Sequence, residues 1–346
     1  MSERVDRLRE RLEEPLLVSD AANVFYLSGL ESSNAALLVE PERVRVFTDF
    51  RYAEAARAID GVEFVEAKRD LFQTLSELLD GRIGFEATSL TFERHARLHS
   101  GGIDLVPRYG LVEELRAVKD GDELESIRRA GAIVSIAFER FADQGDIVGR
   151  TERDLAWRFE QFLHEANADG VSFPVHLASG PNAALPHANP GERRVEEGET
   201  VIVDAGCVVD GYCSDCTRTF ASGPLPEELQ RAYDVCLDAQ LAGLEAIRPG
   251  ASGPGVDAAA RDRIEAAGFG EAFGHGLGHG IGILVHEDPR LARESRSTLE
   301  SGNVVTVEPG IYLAGKGGIR IEDLVVVTDD GPEVLTPFPK ELRTLD

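Results

Sequence analysis

The residues best suited to chemistry in this chain lie in a predicted β-hairpin that carries two aspartates. The apolar run VIV leads into Asp210-Gly211, a pair typical of tight hairpin turns, and CTRTF leads out. A turn centred on that pair places Asp204 opposite Thr217 and puts Asp215 diagonal to Asp204 on the same face. Carboxylates held that close repel each other unless a proton or a cation lies between them. The spacing therefore indicates a metal ion.

A second stretch repeats this arrangement with glutamates. The sequences EEGETVIVDAG and LESGNVVTVEPG each have a glycine, a β-rich run, and an acid followed two positions later by glycine. A turn centred on Lys316, in the downstream sequence AGKGG, then determines the pairing of a second hairpin. The resulting pairs are Glu308 with Leu324 and Glu322 with Gly310, which is the same diagonal relation. Two such hairpins supply four carboxylates to one site.

Three histidines lie between the two hairpins, in the glycine-rich stretch AFGHGLGHGIGILVHEDPR. They are His275, His279 and His286, and neutral imidazole is a common partner of carboxylates around a transition metal. A G-x-G-x-x-G nucleotide loop is excluded because Ile281 stands at the third glycine position, and H-E-x-x-H is excluded by Arg290. The glycines are expected to let backbone and substrate approach the metals closely.

The elements that must position these residues predict an α+β protein of two domains. Two amphipathic helices precede each hairpin, which indicates a duplicated α–α–β–β unit spanning residues 116–346. Residues 1–115 read as a smaller α/β domain, with a boundary within 111–119. Its predicted strands are PLLVSD, NVFYLSG, AALLVE, VRVFTD, VEFVEA, RIGFEA and DLVPRY. Trp157 and Phe162, on a predicted helix of the second domain, are expected in the core.

The composition restricts the partners and the environment. Lys and Arg number 36 against 62 Asp and Glu, so the net charge is −26, which argues against nucleic acid and anionic membranes as partners. This acidity is typical of proteins from very salty cytoplasm, with a GC-rich genome as the alternative explanation of the few lysines. No apolar run reaches the roughly 18 residues of a membrane span, and the N-terminus is charged, so we expect a cytoplasmic protein.

Four cysteines are present, and two of them have C-x-x-C spacing. These are Cys213 and Cys216, with Cys207 and Cys236 elsewhere. No second pair lies at the spacing of a zinc site. We therefore predict small, partly buried residues in a reducing compartment, and neither a disulfide nor a structural zinc site.

The ordered motifs VDAG, SDCTRTF, GHGLGHGIG, VTVEPG and GIRIED resemble those of the pita-bread metallopeptidases. That family includes aminopeptidase P, prolidase, methionine aminopeptidase and creatinase. The segments VFYLSGL and VFTDFRYAEAA are similar to the creatinase-like N-terminal domain, so the resemblance covers nearly the whole chain. It implies a pita-bread catalytic domain preceded by a creatinase-like domain, and it favours the proline-peptidase branch.

Carried over residue by residue, the resemblance implies two divalent metal ions and five ligands. The matching positions are Asp204, Asp215, His279, Glu308 and Glu322. In the family pattern Asp204 serves one metal, His279 and Glu308 serve the other, and the remaining two acids bridge. None of the five is substituted, which argues against creatinase. Manganese or cobalt is implied, with zinc as a further candidate, and the oxygen-rich ligand set favours manganese.

The resemblance also implies residues that face the substrate. His187 in PHANP and His286 in VHEDP match substrate-facing histidines, and His275 matches an outer one. Arg290 and Arg320 are added as substrate-binding candidates. Arg290 follows His286 by four positions, and a planar guanidinium suits a substrate carboxylate. The alternative for Arg290 is an ion pair with a neighbouring acid, either Glu287 or Asp288.

The implied activity is hydrolysis of the Xaa-Pro bond at the N-terminus of short peptides. Glu308 is the expected proton acceptor, and His187 or His286 the expected donor to the developing oxyanion. Xaa-Pro dipeptidase (prolidase) is favoured by the short chain, and Xaa-Pro aminopeptidase (aminopeptidase P) stays open. Two functions outside the peptidases also stay open: a creatinase-like or ectoine-type C–N hydrolase and a non-catalytic interaction module. A homodimer is expected.

Overall fold

The computed structural model describes residues 3–345, which fall into two compact units with the boundary between Arg116 and Ala117. Within the described part of the chain, no helix is both long enough and apolar enough to cross a membrane.

The first unit is built on one mixed sheet of six strands. Their spatial order is β4-β3-β2-β1-β5-β6, with parallel pairs at β3–β4, β1–β5 and β5–β6 and antiparallel pairs between the others. In chain order its elements are α1 (Glu3–Arg9), β1 (Leu16–Val18), α2 (Ala21–Ser28), β2 (Ala35–Val39), β3 (Val44–Thr48), α3 (Ala53–Arg57), β4 (Glu63–Glu66), α4 (Leu71–Leu78), β5 (Arg82–Glu86), α5 (Phe92–Ser100), β6 (Asp104–Arg108) and α6 (Glu113–Ala117).

One strand predicted in this unit is wrong, because NVFYLSG lies in helix α2. The helix is capped at both ends. The Asp20 side chain accepts hydrogen bonds from the backbone N–H groups of Ala22 and Asn23. Gly29 ends the helix in the left-handed conformation, with φ 71°. These local caps outweigh the strand preference of the valine and the two aromatic residues inside the segment.

Among the residues that the structure describes, the second unit contains four long helices and thirteen short strands. In chain order they are α7 (Gly121–Gln144), α8 (Glu152–Glu165), β7 (Gly170–Val171), β8 (His176–Ser179), β9 (Thr200–Ala205), β10 (Cys207–Val209), β11 (Tyr212–Cys213), β12 (Cys216–Ala221), α9 (Glu227–Ala246), α10 (Gly253–Ala266), β13 (Gly278–Gly280), β14 (Glu287–Leu291), β15 (Val304–Val307), β16 (Gly310–Leu313), β17 (Gly317–Arg320), β18 (Asp323–Thr328) and β19 (Gly331–Val334). Two short 3-10 helices, Gly180–Ala184 and Gly270–Ala272, join them.

The predicted duplication of an α–α–β–β unit is confirmed. Helix α7 packs on α8, and the sheets β12-β9-β8 and β11-β10-β7 follow; α9 packs on α10, and the sheets β14-β13-β15-β18-β19 and β16-β17 follow. Each half has its own hydrophobic core. Val203 and Val307 lie in these two cores, one in each half. Because side chains alternate along a strand, Asp204 and Glu308 point to the opposite side.

The two aromatic residues predicted as core on helix α8 differ in burial. Phe162 is buried, as predicted, but Trp157 is 59% exposed, so that prediction is wrong. Leu155 and Phe159 form the buried face of this helix. Trp157 lies two positions from each of them and therefore points to the opposite side of the helix.

All four cysteines are free and buried, as predicted for small interior residues. Each thiol donates to a different backbone carbonyl, at 3.2–3.6 Å: those of Ala130, Ile283, Glu322 and Pro309. Burial raises the pKa of Cys213 to about 11 and that of Cys207 to about 12. The thiols therefore stay protonated and act as interior hydrogen-bond donors.

Candidate metal centre

The first hairpin has the register predicted from its turn, since Asp204 pairs with Thr217. The β-ladder then breaks at Gly206, where a Cβ atom would lie 1.9 Å from the carbonyl oxygen of Ser214. This close approach requires glycine and divides the hairpin between two short sheets. Asp215 follows the break and is buried beside Asp204 in the same cavity lining.

The second hairpin joins β15 and β16 to β17 and β18. Val307 pairs with Asp323, so the backbone places Glu308 level with Glu322. The two predicted pairings are wrong by two positions: Glu308 with Leu324 and Glu322 with Gly310. The loop is centred on Gly315, with φ 74°, and not on Lys316, because the central residue of this three-residue connection adopts the left-handed conformation that favours glycine. The two glutamates are therefore direct neighbours and not diagonal ones.

His279 lies on β13, between β14 and β15. The glycines on either side of it allow this crowded position. A Cβ atom on Gly278 would lie 2.0 Å from the Thr306 carbonyl oxygen, and one on Gly280 would lie 2.2 Å from that of Asp288. Strand packing thus explains these glycines, which were expected to serve the approach of substrate. His279 Nδ1 lies 3.0 Å from the Gly280 carbonyl and donates to it, which leaves Nε2 free to face the acids.

The acids and His279 meet in one cavity of about 830 Å³. Nε2 of His279 lies 3.3 Å from Glu308 Oε1 and 3.8 Å from Asp215 Oδ2. One ligand atom each from Asp215, His279 and Glu322 lie within 4.8 Å of one another. Asp204 lines the same cavity. The structure therefore brings all five predicted ligands together.

The buried oxygens of this cluster fit a cation. Among residues 3–345, three carboxylate oxygens here have no hydrogen-bond partner: Asp204 Oδ1, Asp215 Oδ1 and Glu322 Oε1. Burial raises the pKa of Asp215, and the charges of Glu322 and Asp204 raise it further. Burial likewise raises the pKa of Glu322, together with the charges of Glu308 and Asp204. A divalent ion would bind these oxygens without partners and reduce the repulsion between the carboxylates.

His279 and Glu308 form an ion pair within the cluster. Burial alone would lower the pKa of His279, but the hydrogen bond and charge of Glu308 raise it to about 9. Burial alone would raise the pKa of Glu308, but the same hydrogen bond and charge lower it to about 2. The imidazolium thus supplies a positive charge among the acids. A metal ion bound at Nε2 would displace this proton and replace that charge.

Arg320 orients the cluster through Asp204. It is buried and donates to Asp204 Oδ2 at 2.6 Å, to the Tyr312 hydroxyl at 3.0 Å and to Thr217 Oγ1 at 3.1 Å. The Tyr312 hydroxyl lies 3.0 Å from Nε2 of His275, whose Nδ1 faces the Gly276 carbonyl at 2.8 Å. His275 and Arg320 line the cavity, as candidates for substrate contact should, and both also hydrogen-bond to protein groups.

The other predicted substrate-facing residues also line the cavity: His187, His286 and Arg290. The ring centroids of His286 and His279 are 4.4 Å apart. Arg290 forms no ion pair with any residue that the structure describes, so the alternative partners Glu287 and Asp288 are not observed. The carboxylate of Glu287 instead lies 3.4 Å from the buried Lys119 amine.

Sequence reasoning missed several supporting residues. Thr217 Oγ1 donates to Glu322 Oε2 at 2.7 Å, and Thr306 Oγ1 donates to Glu308 Oε1 at 3.2 Å. Thr217 lies two positions from Asp215 and Thr306 two positions from Glu308, each in or beside the same extended segment, so the alternation of side chains could have indicated both threonines. His176 pairs with Asp204 across β8 and β9 and also lines the cavity. An isolated histidine in a strand carried no such signal.

Comparisons with known proteins agree with this geometry. Residues 125–329 match metallopeptidase family M24, and residues 4–118 match the creatinase/prolidase N-terminal domain. The uncharacterized peptidase YqhT of Bacillus subtilis (strain 168) is 38% identical over 337 residues, 95% of either chain.

Two solved structures are similar over nearly their whole length. The Xaa-Pro dipeptidase from Bacillus anthracis is 36% identical, with a TM-score of 0.95 over 99% of both chains. The X-Pro aminopeptidase from Thermotoga maritima MSB8 is 33% identical, with a TM-score of 0.88 over 97% of this chain and 99% of that one. The predicted fold, a pita-bread catalytic domain preceded by a creatinase-like domain, is confirmed. The chain therefore belongs to metallopeptidase family M24, whose members bind divalent metal ions.

Proposed function

We propose that this metallopeptidase hydrolyses the Xaa-Pro bond at the N-terminus of short peptides, as an Xaa-Pro dipeptidase. The observation that carries the proposal is a cationic side chain without an ion-pair partner among the described residues, Arg290, in the cavity that holds the acid cluster. The similar structures are named as an Xaa-Pro dipeptidase and an X-Pro aminopeptidase. Aminopeptidase P activity is therefore the second candidate.

Five residues would hold two divalent ions: Asp204, Asp215, His279, Glu308 and Glu322. Four carboxylates carry more negative charge than one divalent ion neutralises. The donor set of one imidazole and four carboxylates favours manganese, with cobalt and zinc as alternatives. Such ions lower the pKa of water and polarise a carbonyl group.

The remaining chemistry falls to side chains of the cavity. Glu308 lines the cavity beside His279 and would accept the proton of the attacking water at a carboxylate oxygen. His187 and His286 line the cavity and would donate to the carbonyl oxygen as negative charge develops on it. Burial lowers the pKa of His286, so its imidazole is neutral at pH 7 and presents one N–H donor.

A cleavage assay with manganese tests the function, comparing an Xaa-Pro dipeptide with an Xaa-Pro-Yaa tripeptide. A dipeptidase cleaves the dipeptide with the higher kcat/KM, and aminopeptidase P prefers the tripeptide. Activity confined to creatine-like or ectoine-like molecules would identify the related C–N hydrolase instead. Absence of bound metal after purification and reconstitution would contradict every catalytic assignment.

Replacing Arg290 by alanine is expected to weaken cleavage of the dipeptide far more than that of the tripeptide. In a dipeptide the terminal carboxylate belongs to the proline, at a fixed short distance from the scissile bond. Losing a charge-assisted hydrogen bond to it costs about 2 kcal/mol, which is a roughly 30-fold lower kcat/KM. Arg296→Ala is the control, because Arg296 is exposed on the same segment outside the cavity lining. Equal losses on both substrates from Arg290→Ala would rule out the clamp.

The acidic composition supports adaptation to high salt. A net charge of −26 makes the folded chain repel itself in dilute buffer, and salt screens this repulsion. We expect the Tm of the metal-loaded protein to rise by roughly 5 °C between about 0.1 M and about 2 M KCl. A constant or falling Tm would favour genome composition as the cause.

Four free, buried thiols support a reducing cytoplasm as the location of the protein. A homodimer stays a prediction.

A further inference from the structure

A buried acid outside the metal cluster holds the segment that carries His187. Glu152 is the first residue of helix α8 and is completely buried. Among the described residues, no cation lies within ion-pair distance of it. An unpaired anion in the interior requires strong hydrogen bonding, and the helix N-terminus adds a favourable dipole.

The hydrogen-bond donors that Glu152 accepts from lie in one short segment, 179–191. The backbone N–H and the hydroxyl of Ser179 both donate to Oε1 at 2.9 Å. The Asn182 side-chain amide lies 3.1 Å from each carboxylate oxygen. The backbone N–H of Gly191 donates to Oε2 at 3.2 Å. In the opposite direction, the backbone N–H of Arg153 donates to the Gly191 carbonyl at 3.0 Å.

These contacts close the base of a loop that enters the metallopeptidase cavity. Asn182 and Gly191 stand at the two ends of the loop, and His187 between them lines the cavity. The described backbone bonds inside the loop are two short-range ones, from Leu185 N–H to the Asn182 carbonyl and from Ala188 N–H to the Leu185 carbonyl. Two side chains also contact the residues that flank His187: Arg320 donates to the Pro186 carbonyl at 3.5 Å, and His176 Nδ1 lies 3.3 Å from the Ala188 carbonyl. The two ends that Glu152 holds are the other anchors of His187.

We propose that Glu152 is a positioning residue for His187, an inference that rests on the proposed role of His187 at the substrate carbonyl. The ionised carboxylate acts only as an acceptor, which matches four converging donors. A glutamine of the same shape would turn an NH₂ group toward one of those donors and release one end of the loop. Small displacements of a catalytic group are costly, because transition-state hydrogen bonds depend steeply on geometry.

A double-mutant cycle on the manganese-loaded enzyme tests this coupling. Glu152→Gln is expected to lower kcat/KM for an Xaa-Pro dipeptide roughly tenfold in the parent and less than about twofold in the His187→Ala background. The same fold loss in both backgrounds would overturn the proposal. So would full activity of His187→Ala alone, which leaves the peptidase assignment itself intact.

Hydrogen exchange supplies a readout that does not require activity. Glu152→Gln should speed exchange of the amides at 183–190 by about tenfold or more, with β9 unchanged. Unchanged exchange in the loop would overturn the proposal even if no Xaa-Pro peptide is cleaved. If Glu152→Gln does not fold, Asn182→Ala replaces it in both experiments, since it removes one donor and keeps the carboxylate.

Glu86→Gln is the matched control. Glu86 is a buried glutamate of the first unit that accepts from the backbone N–H groups of Ser19 and Asp20 and from the Asn23 amide, at 2.7–2.8 Å. Its substitution should lower stability while leaving kcat/KM and exchange at 183–190 unchanged. Loss of activity and faster loop exchange in this control would show that Glu152→Gln acts through general destabilisation, which would overturn the proposal.

Discussion

Replacing Asp215 by asparagine is expected to lower kcat/KM for Xaa-Pro peptides by roughly a thousandfold or more, about 4 kcal/mol of barrier. The Asp215 carboxylate is buried, its Oδ1 has no hydrogen-bond partner among residues 3–345, and its Oδ2 lies 3.8 Å from His279 Nε2. An amide of the same shape lacks the charge that holds a divalent ion. Elemental analysis should show less bound metal than in the parent.

Asp210→Asn is the control for this substitution. Asp210 lies in the turn of the same hairpin and pairs with Arg129 at the surface, so both activity and metal content should be retained. An Asp215→Asn protein with full activity and full metal content would contradict the assignment of Asp215 as a ligand.

Without metal, Asp215→Asn should make the folded state more stable relative to the parent as pH rises. Because the pKa values of Asp215 and Glu322 are raised in the folded state, that state binds more protons than the unfolded chain does. The free energy of unfolding of the metal-free parent therefore falls as pH rises from the ordinary carboxyl range toward the raised pKa values. Asp215→Asn removes one repelling charge, so its fall should be shallower. An equally steep fall in chelator-treated samples of both proteins would contradict this account.

The second large effect is on stability, and it concerns Arg218. This side chain is 2% exposed, and its Nη2 lies 2.8 Å from Oδ1 of Asp323, which is fully buried. Arg218 also donates to the backbone carbonyls of Thr336 and Phe338. Arg218→Met would leave these acceptors and one oxygen of Asp323 without that partner. We expect a loss of about 3–5 kcal/mol in the free energy of unfolding, measured with urea.

Two comparisons make this test specific. Arg129→Met breaks an ion pair whose side chains are 55% and 59% exposed, and it should cost less than about 1 kcal/mol. Asp323 keeps Lys340 and the Gln240 side-chain amide as partners of Oδ2, so adding Asp323→Leu to Arg218→Met removes these contacts as well and should lower stability further. A cost for Arg218→Met no larger than that for Arg129→Met would refute the buried-pair argument.

Prediction of strand pairing from the sequence was most accurate where the residues of the turn determine the structure. Asp210 and Gly211 both have positive φ values, 50° and 81°, as an Asp-Gly hairpin turn requires, so the register of Asp204 followed directly. The second connection contains several glycines, and nothing local decides which of them takes the left-handed conformation. The pairing of Glu308 and Glu322 was therefore misplaced by two positions.

Tertiary contacts account for what the sequence did not predict. Because carboxylates so close together repel each other unless a cation lies between them, the sequence alone was enough to suggest that the four acids surround a cation. The contact of Arg320 with Asp204 joins residues 116 positions apart, and no local spacing indicates it. Glu152 is similar, since its donors lie 27 to 39 positions along the chain.

The four buried thiols provide a way to measure local opening of the native structure. Cys207, Cys213 and Cys216 lie in the first half of the second unit, and Cys236 lies in the second half. None can react with a thiol reagent until its surroundings separate and its raised pKa relaxes. Labelling rates followed cysteine by cysteine therefore measure how often each half of the duplicated fold opens in the native state, without any introduced probe.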